Sequence, residues 1–352
     1  MTTIAITGVA GLLGRNLVAA LSERGDVERI LGLDVRAPEH VTSSVLAYRQ
    51  ADVRDGDLAE ALAGVDALVH LASQTPSGPD GAAAGSVNVD GTRNVLEAAV
   101  TAGVTQVVFP SSVAVYGAHP DNDFPLTEDS PLRGTPDCDL AEHKLDVERW
   151  LEPWLDDHPD VAVSVLRFGW IAGEGIDSRL TRLFEQPRLP VVRGHRPPLQ
   201  FLHLEDAVAA IVHAIDRRLR GAYNVCAEGW LSFDEVVAIS GRRALELPEE
   251  VAFGVAERMW RLGLSEQPPG VVRHLMHPAV MSPTKLVDTG WSPSRSNRDA
   301  VADLAREHRD HVMLGGLRTE RRTVRNVSLG AAGLAGLAAI SASRRRSRRR
   351  LS

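Results

Sequence analysis

Cysteine, lysine and tyrosine are scarce in this chain of 352 residues, which holds two, two and three of them. The two cysteines, Cys138 and Cys226, are too few for a disulfide framework and lack the spacing of a metal site. Such usage is typical of a reducing compartment, so we expect a cytoplasmic protein. Residues 3–6 already have the pattern of a first strand, and we expect no secretory signal before them.

Charge is distributed unevenly. The net charge is −7, yet residues 317–352 carry ten arginines and one glutamate, or +9, which leaves −16 for the remainder. An acidic body argues against a nucleic-acid partner. The basic end surrounds residues 327–343, an uncharged run of 17 residues rich in alanine and glycine.

This run is shorter than the roughly 20 strongly apolar residues that a spanning helix needs. The arginines beside it would favour an anionic membrane surface. Three interpretations follow: a disordered tail, membrane contact as a peripheral or tail-anchored segment, or a helix that binds a partner.

Apolar runs alternate with helical patterns in the first half, which is typical of βαβ units on a parallel sheet. After about Gly169 the prolines become frequent and the alternation of strand and helix patterns becomes irregular, as expected for a loop-rich lobe. We therefore expect a doubly wound α/β domain over residues 1–168, a smaller lobe over 169–316 with segments that return to the first domain, and a tail over 317–352. The predicted strands are residues 4–6, 30–33, 67–71, 107–109 and 163–166, and the predicted helices are 13–22, 57–62, 88–102, 141–155, 205–217, 233–240, 251–262 and 298–311.

A glycine-rich segment, Gly8-Val-Ala-Gly11-Leu-Leu-Gly14, follows the first predicted strand and opens the first helix. These glycines permit a tight turn and bring a pyrophosphate close to the amides of a helix N-terminus. Asp34 ends the second predicted strand, where its carboxylate can bind ribose hydroxyls and would repel a 2′-phosphate. The combination predicts a Rossmann-type site for NAD, and Arg36 leaves NADP as the alternative.

Further segments follow this loop in a fixed order: Asp52-Val53, His70-Leu-Ala-Ser73, Asn88-Val-Asp-Gly-Thr92, Ser111-Ser112-Val-Ala-Val-Tyr116-Gly117, Leu166-Arg167-Phe-Gly, Phe201-Leu-His203-Leu-Glu-Asp206, Tyr223-Asn224-Val and Lys285-Leu-Val-Asp-Thr-Gly290-Trp-Ser-Pro293. Together with the spacing Gly-x-x-Gly-x-x-Gly, they resemble the extended short-chain dehydrogenase/reductase superfamily, and within it the NAD-dependent epimerase/dehydratase family. The resemblance covers residues 1 to about 310.

The resemblance implies the cofactor contacts. The loop from Gly8 to Gly14, with Leu12 and Leu13, would cradle the pyrophosphate, and Asp34 would bind the adenosine ribose. Asp52 and Val53 would flank the adenine, although Asp52 could instead cap the helix that follows it. The route to the nicotinamide would be lined by Leu71, Ala72 and Ser73.

Members of this family combine a serine or threonine, a tyrosine and a lysine at the reacting carbon. Ser112 matches the serine and would hydrogen-bond the reacting oxygen, although its neighbour Ser111 could be confused with it. Lys144 matches the lysine, which would hold the nicotinamide ribose and lower the pKa of a phenol. Leu140 occupies the tyrosine position and has no proton to give. The sequence thus predicts an intact cofactor site with a non-standard proton donor.

Several groups could replace the missing phenol. Tyr116 is expected to form a wall of the substrate cleft and is a candidate acid. His143, His119 and Cys138 are further candidates, as are a bound water and a hydroxyl of the substrate itself.

Three residues are expected around the second lobe. Arg167 and His203 are candidates for substrate contact, although a structural ion pair fits Arg167 equally well. Asp206 is expected to cap the helix that follows it.

Two functions fit these features. One is an NAD(P)-dependent, epimerase/dehydratase-like oxidoreductase that transfers hydride on a nucleotide sugar or a related carbonyl or hydroxyl substrate. The other is a non-catalytic NAD(H)-binding sensor or scaffold protein. The resemblance also implies a homodimer through the predicted helices at residues 88–102 and 141–155.

Overall fold

The computed structural model describes residues 2–39, 41, 43–75, 82–173, 175–176, 184, 186, 188–262, 268–308, 311–314 and 317–320. The predicted membrane-contact segment at residues 327–343 lies outside them. Within the described part of the chain, no helix is long and apolar enough to cross a bilayer.

Seven parallel strands form the main sheet, in the order β10-β6-β5-β4-β1-β2-β3. This confirms the predicted doubly wound α/β fold. The described strands are β1 (Thr2–Thr7), β2 (Val27–Asp34), β3 (Leu46–Gln50), β4 (Ala67–His70), β5 (Gln106–Ser112), β6 (Ala162–Phe168), β7 (Trp170–Ala172), β8 (Arg188–Val192), β9 (Phe201–His203), β10 (Gly221–Val225), β11 (Arg243–Leu247), β12 (His311–Leu314) and β13 (Leu317–Glu320).

Helices cover both faces of this sheet, which is why the central strands are mainly apolar. One face packs against α1 and α6, and the other packs against α2, α4 and α5. The described α-helices are α1 (Leu12–Ser22), α2 (Leu58–Ala61), α3 (Ala82–Gly85), α4 (Gly91–Thr101), α5 (Asp139–Asp157), α6 (Leu204–Arg217), α7 (Phe233–Ser240), α8 (Glu249–Arg261), α9 (Thr284–Val287) and α10 (Asn297–Glu307).

A second apolar cluster forms the smaller lobe, where α7 and α10 pack with β7, β8 and β9. β7 pairs with β9 and β8 pairs with β11, so the lobe has its own short parallel ladders. In contrast, α6 and β10 pack on the main sheet although they follow β9 in the chain. A 3₁₀ segment, Pro269–Leu275, packs on α8 and β8.

The predicted helix at residues 88–102 is interrupted at its start. A π-helical turn, Ser86–Asp90, precedes α4. Such turns shift the register of side chains and occur frequently at functional sites.

The strand order reverses at β1, because β2 and β4 lie on opposite sides of it. In an open α/β sheet the crevice at such a point, outside the carboxyl ends of the strands, is the usual ligand site. The glycine loop, Asp34, the segment after His70 and the two serines all lie at this edge.

Candidate active site

The glycine loop lies between β1 and α1 and leaves little space for side chains. Gly8 has a φ of 72°, and a Cβ there would lie 2.6 Å from the Ala72 amide nitrogen. A Cβ at Gly14 would lie 2.6 Å from the carbonyl oxygen of Gly8. Both glycines therefore let the loop approach its own neighbours closely.

Gly11 precedes the first residue of α1 and supplies no side-chain cap. The amides of Leu12 and Leu13 have no acceptor among the described residues. Unpaired amides at a helix N-terminus favour an anion, through both hydrogen bonds and the helix dipole. This geometry suits a pyrophosphate.

The carboxylate of Asp34 is fixed beside the loop. It accepts the Ala10 amide at 3.0 Å and the Arg36 amide at 3.1 Å. The Tyr48 hydroxyl donates to the Asp34 backbone carbonyl at 3.0 Å. A carboxylate has about four acceptor positions, so two remain for ribose hydroxyls.

Asp52 and Val53 follow β3, at the expected adenine position. The Asp52 carboxylate pairs with Arg54 at 2.6 Å, and this hydrogen bond lowers the pKa of the carboxyl. Asp52 does not cap α2, whose first residue follows Asp57. Val53 is buried and its side chain packs against Gly91. Their contact with adenine stays a prediction.

Asn88 fixes the segment that follows β4. Its Oδ1 accepts the Ser73 hydroxyl at 3.1 Å and the Gln74 amide at 2.8 Å, while its amide group donates to the Gln74 carbonyl at 2.8 Å. The same amide nitrogen lies 3.2 Å from His143 Nδ1. No role was predicted for Asn88, because its burial and its partners at residues 73 and 74 are visible only in the structure.

His70 is buried between β1 and α4. Its ring nitrogens contact the hydroxyls of Thr7, at 2.7 Å, and Thr92, at 2.9 Å. Burial lowers the pKa of His70 to about 3, and the charge of Lys144 adds to this. His70 is therefore a neutral support of the site.

Leu140 lies in the first turn of α5 and is half-buried. Lys144 follows one turn later on the same face. Its Nζ donates to the Pro110 carbonyl at 2.8 Å and lies 4.5 Å from the centre of the Phe109 ring. Burial lowers the pKa of Lys144 to about 8, against the opposing influence of Glu148.

Ser111 and Ser112 end β5 but face different surroundings. The Ser111 hydroxyl is buried and donates to the Glu148 carboxylate. Ser112 is half-buried, and its hydroxyl oxygen accepts the Ala114 amide at 3.2 Å. Its hydroxyl hydrogen has no acceptor in the described part of the chain, which makes Ser112 the serine available to a substrate oxygen.

Arg167 and Tyr116 belong to a buried network. The guanidinium of Arg167 pairs with Glu148 at 2.7 Å and donates to the Tyr116 hydroxyl at 2.8 Å. That hydroxyl donates in turn to Asn224 Oδ1 at 2.7 Å. The network connects β5, β6, α5 and β10.

This network corrects the expectation for Tyr116 and favours one of the two alternatives for Arg167. Tyr116 is 0% exposed, so it is not a wall of the substrate cleft, and both hydrogen-bonding functions of its hydroxyl are in use. Burial raises its pKa to about 12, which is unsuited to a neutral-pH acid. Arg167 is 5% exposed and forms the structural ion pair, not a substrate contact.

His203 takes the capping role that was expected of Asp206, and Asp206 has a different structural role. His203 directly precedes α6 and caps it, since Nδ1 accepts the Glu205 amide at 3.2 Å. Nε2 lies 3.5 Å from the carboxylate of Asp303. The substrate contact predicted for His203 stays a prediction, and it could involve only Nε2. Asp206 instead accepts the amide and hydroxyl of Ser294 at 2.8 and 2.7 Å, and so anchors a later segment.

The other candidate proton donors lie in two places. His143 packs beside Gly85 and the Asn88 amide, on the α4 side of the site. His119 contacts the Gly134 carbonyl at 2.8 Å, in the loop region before α5. Cys138 is buried directly before that helix.

The glycine loop, the free amides of α1 and the Asp34 carboxylate fit a dinucleotide. Each feature is a backbone or acceptor group that the pyrophosphate and ribose require. Among the described residues, no group of three His, Cys, Asp or Glu side chains has metal-binding geometry. Fold and site together define a dinucleotide-binding protein of the Rossmann class.

Comparison with known proteins gives the family. A model of the NAD dependent epimerase/dehydratase family matches residues 4–226, and the chain belongs to that family, whose cofactor is NAD. An uncharacterized protein of Mycobacterium tuberculosis is 28% identical over 319 residues, which are 86% of this chain and 83% of that protein.

Solved structures share the fold. UDP-glucose 4-epimerase of Thermus thermophilus, in complex with NAD, has a TM-score of 0.68 at 21% identity and covers 88% of this chain and 99% of its own. The dTDP-glucose 4,6-dehydratase DesIV of Streptomyces venezuelae has a TM-score of 0.66 at 22% identity and covers 88% and 97%.

Proposed function

We propose that this chain is an NAD-dependent oxidoreductase of the epimerase/dehydratase type. It would move a hydride between nicotinamide and a hydroxyl-bearing or carbonyl carbon of a nucleotide sugar or related substrate. Its proton donor would be a group other than the residue at position 140. The likeness in fold to a UDP-glucose 4-epimerase and a dTDP-glucose 4,6-dehydratase supports this substrate class.

The position of Lys144 is the observation that carries the proposal. An ammonium has three donors, and Pro110 is its one acceptor among the described residues. The others are free to hold the hydroxyls of the nicotinamide ribose. With a pKa of about 8, the side chain is mainly charged at neutral pH.

Two side chains and the bound cofactor share the chemistry. NAD, when bound, accepts the hydride or returns it. Ser112 would donate its free hydroxyl hydrogen to the reacting oxygen, and Lys144 would orient the ribose and stabilise negative charge that develops nearby. Leu140 contributes only an apolar surface.

The alternative is a protein that binds NAD(H) without turnover. Two observations favour it: position 140 holds a leucine, and the hydroxyl of Tyr116 is buried and hydrogen-bonded, so neither residue offers a phenol to the site. The amides of α1 and Asp34 would serve this function equally well.

Turnover assays distinguish the oxidoreductase from a protein that only binds NAD(H). Purified protein is incubated with NAD(H) or NADP(H) and a panel of nucleotide sugars and small ketones, while nicotinamide absorbance is followed. Because an epimerase returns its hydride, sugar isomers are also separated by chromatography. Lys144→Met is the matched variant, and its loss of turnover is the expected result.

Leu140→Tyr is the second test. If the site is otherwise complete, a phenol one turn before Lys144 should raise the rate of hydride transfer, on the order of a hundredfold for a positioned acid. NAD binding with no turnover in either form would overturn the enzymatic proposal and favour the sensor.

A further inference from the structure

Four histidines from three segments lie close together at one end of the second lobe. His195 follows β8, and its ring centre lies 5.8 Å from that of His277, in a perpendicular arrangement. His274 lies in the 3₁₀ segment Pro269–Leu275. His119 comes from the loop that follows β5. We refer to these four residues as the histidine cluster.

Hydrogen bonds connect the cluster to the loop before α5. His274 Nε2 lies 3.2 Å from the Thr135 hydroxyl, which also accepts the Ala118 amide at 3.2 Å. Gly270 is so close that a Cβ would lie 2.2 Å from the Pro136 carbonyl oxygen. Thr135 precedes Leu140 by five residues, a span of at most about 18 Å. The cluster therefore lies within the reach of one substrate from the proposed reaction site.

His274 has a hydrogen-bonding atom without a partner. Its side chain is 8% exposed, and Nδ1 has no partner among the described residues. A buried polar atom left in this state costs free energy, so an acceptor supplied by a ligand would be favourable. Trp170 packs edge-on against the ring at 6.1 Å and fixes its plane.

The surroundings of the cluster are short of negative charge. Burial lowers the pKa of His274 to about 4, and His119 and His277 lower it further. Burial also lowers the pKa of His277, followed by the effects of His195, Arg273 and His119.

Two carboxylates lie nearby. Glu249 raises the pKa of His277 slightly, and Asp121, near His119, is already paired with Arg133 at 2.9 Å. An anion bound here would meet several donors and little repulsion.

We infer that the histidine cluster binds a phosphate group of the substrate and takes up protons when it does so. The inference rests on the proposed function for the identity of the ligand as a substrate. A phosphate offers acceptors to His274 Nδ1 and to the rings of His195 and His277. Its charge favours their protonated forms, since an opposite charge nearby raises the pKa of a histidine. The bonds formed are hydrogen bonds and ion pairs only.

Calorimetry with inorganic pyrophosphate tests this on the full chain saturated with NAD, so that the pyrophosphate position at the glycine loop is already occupied. Titrations at pH 6, 7 and 8, in pairs of buffers that differ in ionisation enthalpy, give the number of protons taken up. Uptake of one proton predicts a Kd that rises about tenfold per pH unit. Binding without proton uptake would overturn the inference. Displacement by malonate as effective as by pyrophosphate would refute the assignment to phosphate.

Single substitutions test whether pyrophosphate binding and its pH dependence arise at the histidine cluster. His195→Gln and His277→Gln should each weaken pyrophosphate binding at pH 6 by about tenfold and flatten its pH dependence. His213→Gln, at a half-buried histidine on α6 outside the cluster, is the control and should change neither. NAD affinity should stay unchanged in all three, which also reports on folding. Unaltered pyrophosphate binding in the cluster variants would contradict the inference.

A failure of the proposed function can be distinguished from a failure of this inference. A chain that binds pyrophosphate with proton uptake but turns over no substrate would retain the anion site and lose only the enzymatic assignment. Nanomolar binding of Zn²⁺ that is abolished by the same variants would instead assign the cluster to a metal and overturn the inference.

Discussion

Replacing Tyr116 with phenylalanine tests whether this side chain is structural, as its burial indicates, or faces the substrate. The substitution removes one oxygen atom and leaves the buried ring in place. Arg167 Nη1 loses an acceptor at 2.8 Å, and Asn224 Oδ1 loses a donor at 2.7 Å. Both atoms belong to buried side chains, so water cannot easily replace the hydroxyl.

The magnitude follows from these two bonds. A hydrogen bond to a charged group contributes about 1.5–3 kcal/mol and a neutral one about 1 kcal/mol. Tyr116→Phe should therefore lower the free energy of unfolding by about 2–4 kcal/mol. With an m-value of about 3 kcal/mol per molar urea, the unfolding midpoint should fall by about 1 M.

Urea unfolding followed by circular dichroism measures this change. Tyr223→Phe is the matched control, because Tyr223 is also buried and its hydroxyl makes no hydrogen bond among the described residues. Its effect should stay within about 0.5 kcal/mol. NAD affinity should be unchanged in both variants. Near-native stability of Tyr116→Phe, combined with loss of turnover, would refute the structural role and restore Tyr116 to the substrate cleft.

Three further predictions concern the cofactor site. Gly8→Ala should abolish detectable NAD binding in fluorescence titration, because its Cβ meets backbone atoms at 2.6–2.8 Å. Gly64→Ala is the control, since Gly64 has a φ of 74° but lies in open space; it should lower the free energy of unfolding by only about 1–2 kcal/mol and retain NAD binding. Asp34→Asn should weaken NAD binding at least about tenfold and raise the relative affinity for NADP, and an unchanged NADP:NAD ratio would contradict the role of Asp34. Lys144→Met should stabilise the cofactor-free protein on the order of 2 kcal/mol below pH 8. The folded pKa of Lys144, about 8, lies below the ordinary 10.5, so this gain should shrink as pH rises from 8 to 10.5 in urea unfolding; a pH-independent gain would argue against a buried charge.

Local patterns predicted the parts of the site that are local in the chain. The segment from Gly8 to Gly14 joins β1 directly to α1, so spacing alone fixes its geometry. Asp34 and the serines likewise end strands whose apolar runs are visible in the sequence. The fold and the NAD cofactor were predictable for this reason and are confirmed. The individual site residues, on the cofactor side as well as the substrate side, stay predictions, apart from those that the structure corrects.

Contacts between distant residues escaped prediction. The network of Ser111, Glu148, Arg167, Tyr116 and Asn224 connects positions more than 100 residues apart, and no periodicity indicates which polar groups meet. A polar residue at a strand end gives the same sequence pattern whether it faces a ligand or a buried carboxylate.

The capping residue of α6 was assigned wrongly. A cap at Asp206 would require the helix to begin at residue 207, whereas it begins at Leu204, so His203 takes the capping position and Asp206 falls inside the first turn. Helix boundaries are uncertain by a few residues in any pattern-based prediction, while a cap depends on the single terminal residue. The histidine cluster escaped for the same reason as the network, since its members come from three separate segments.

In the structure, the groups that are predicted to bind the cofactor do not depend on the residue at position 140. Lys144 is held by the Pro110 carbonyl and the Phe109 ring, both on β5, and not by the residue at position 140. The glycine loop and Asp34 are likewise independent of α5. The absence of a phenol at position 140 therefore removes a proton donor without displacing a group that is predicted to hold the cofactor. It follows that cofactor binding can persist in this protein where the proposed hydride transfer fails, because only the chemical step depends on a proton donor in place of the phenol.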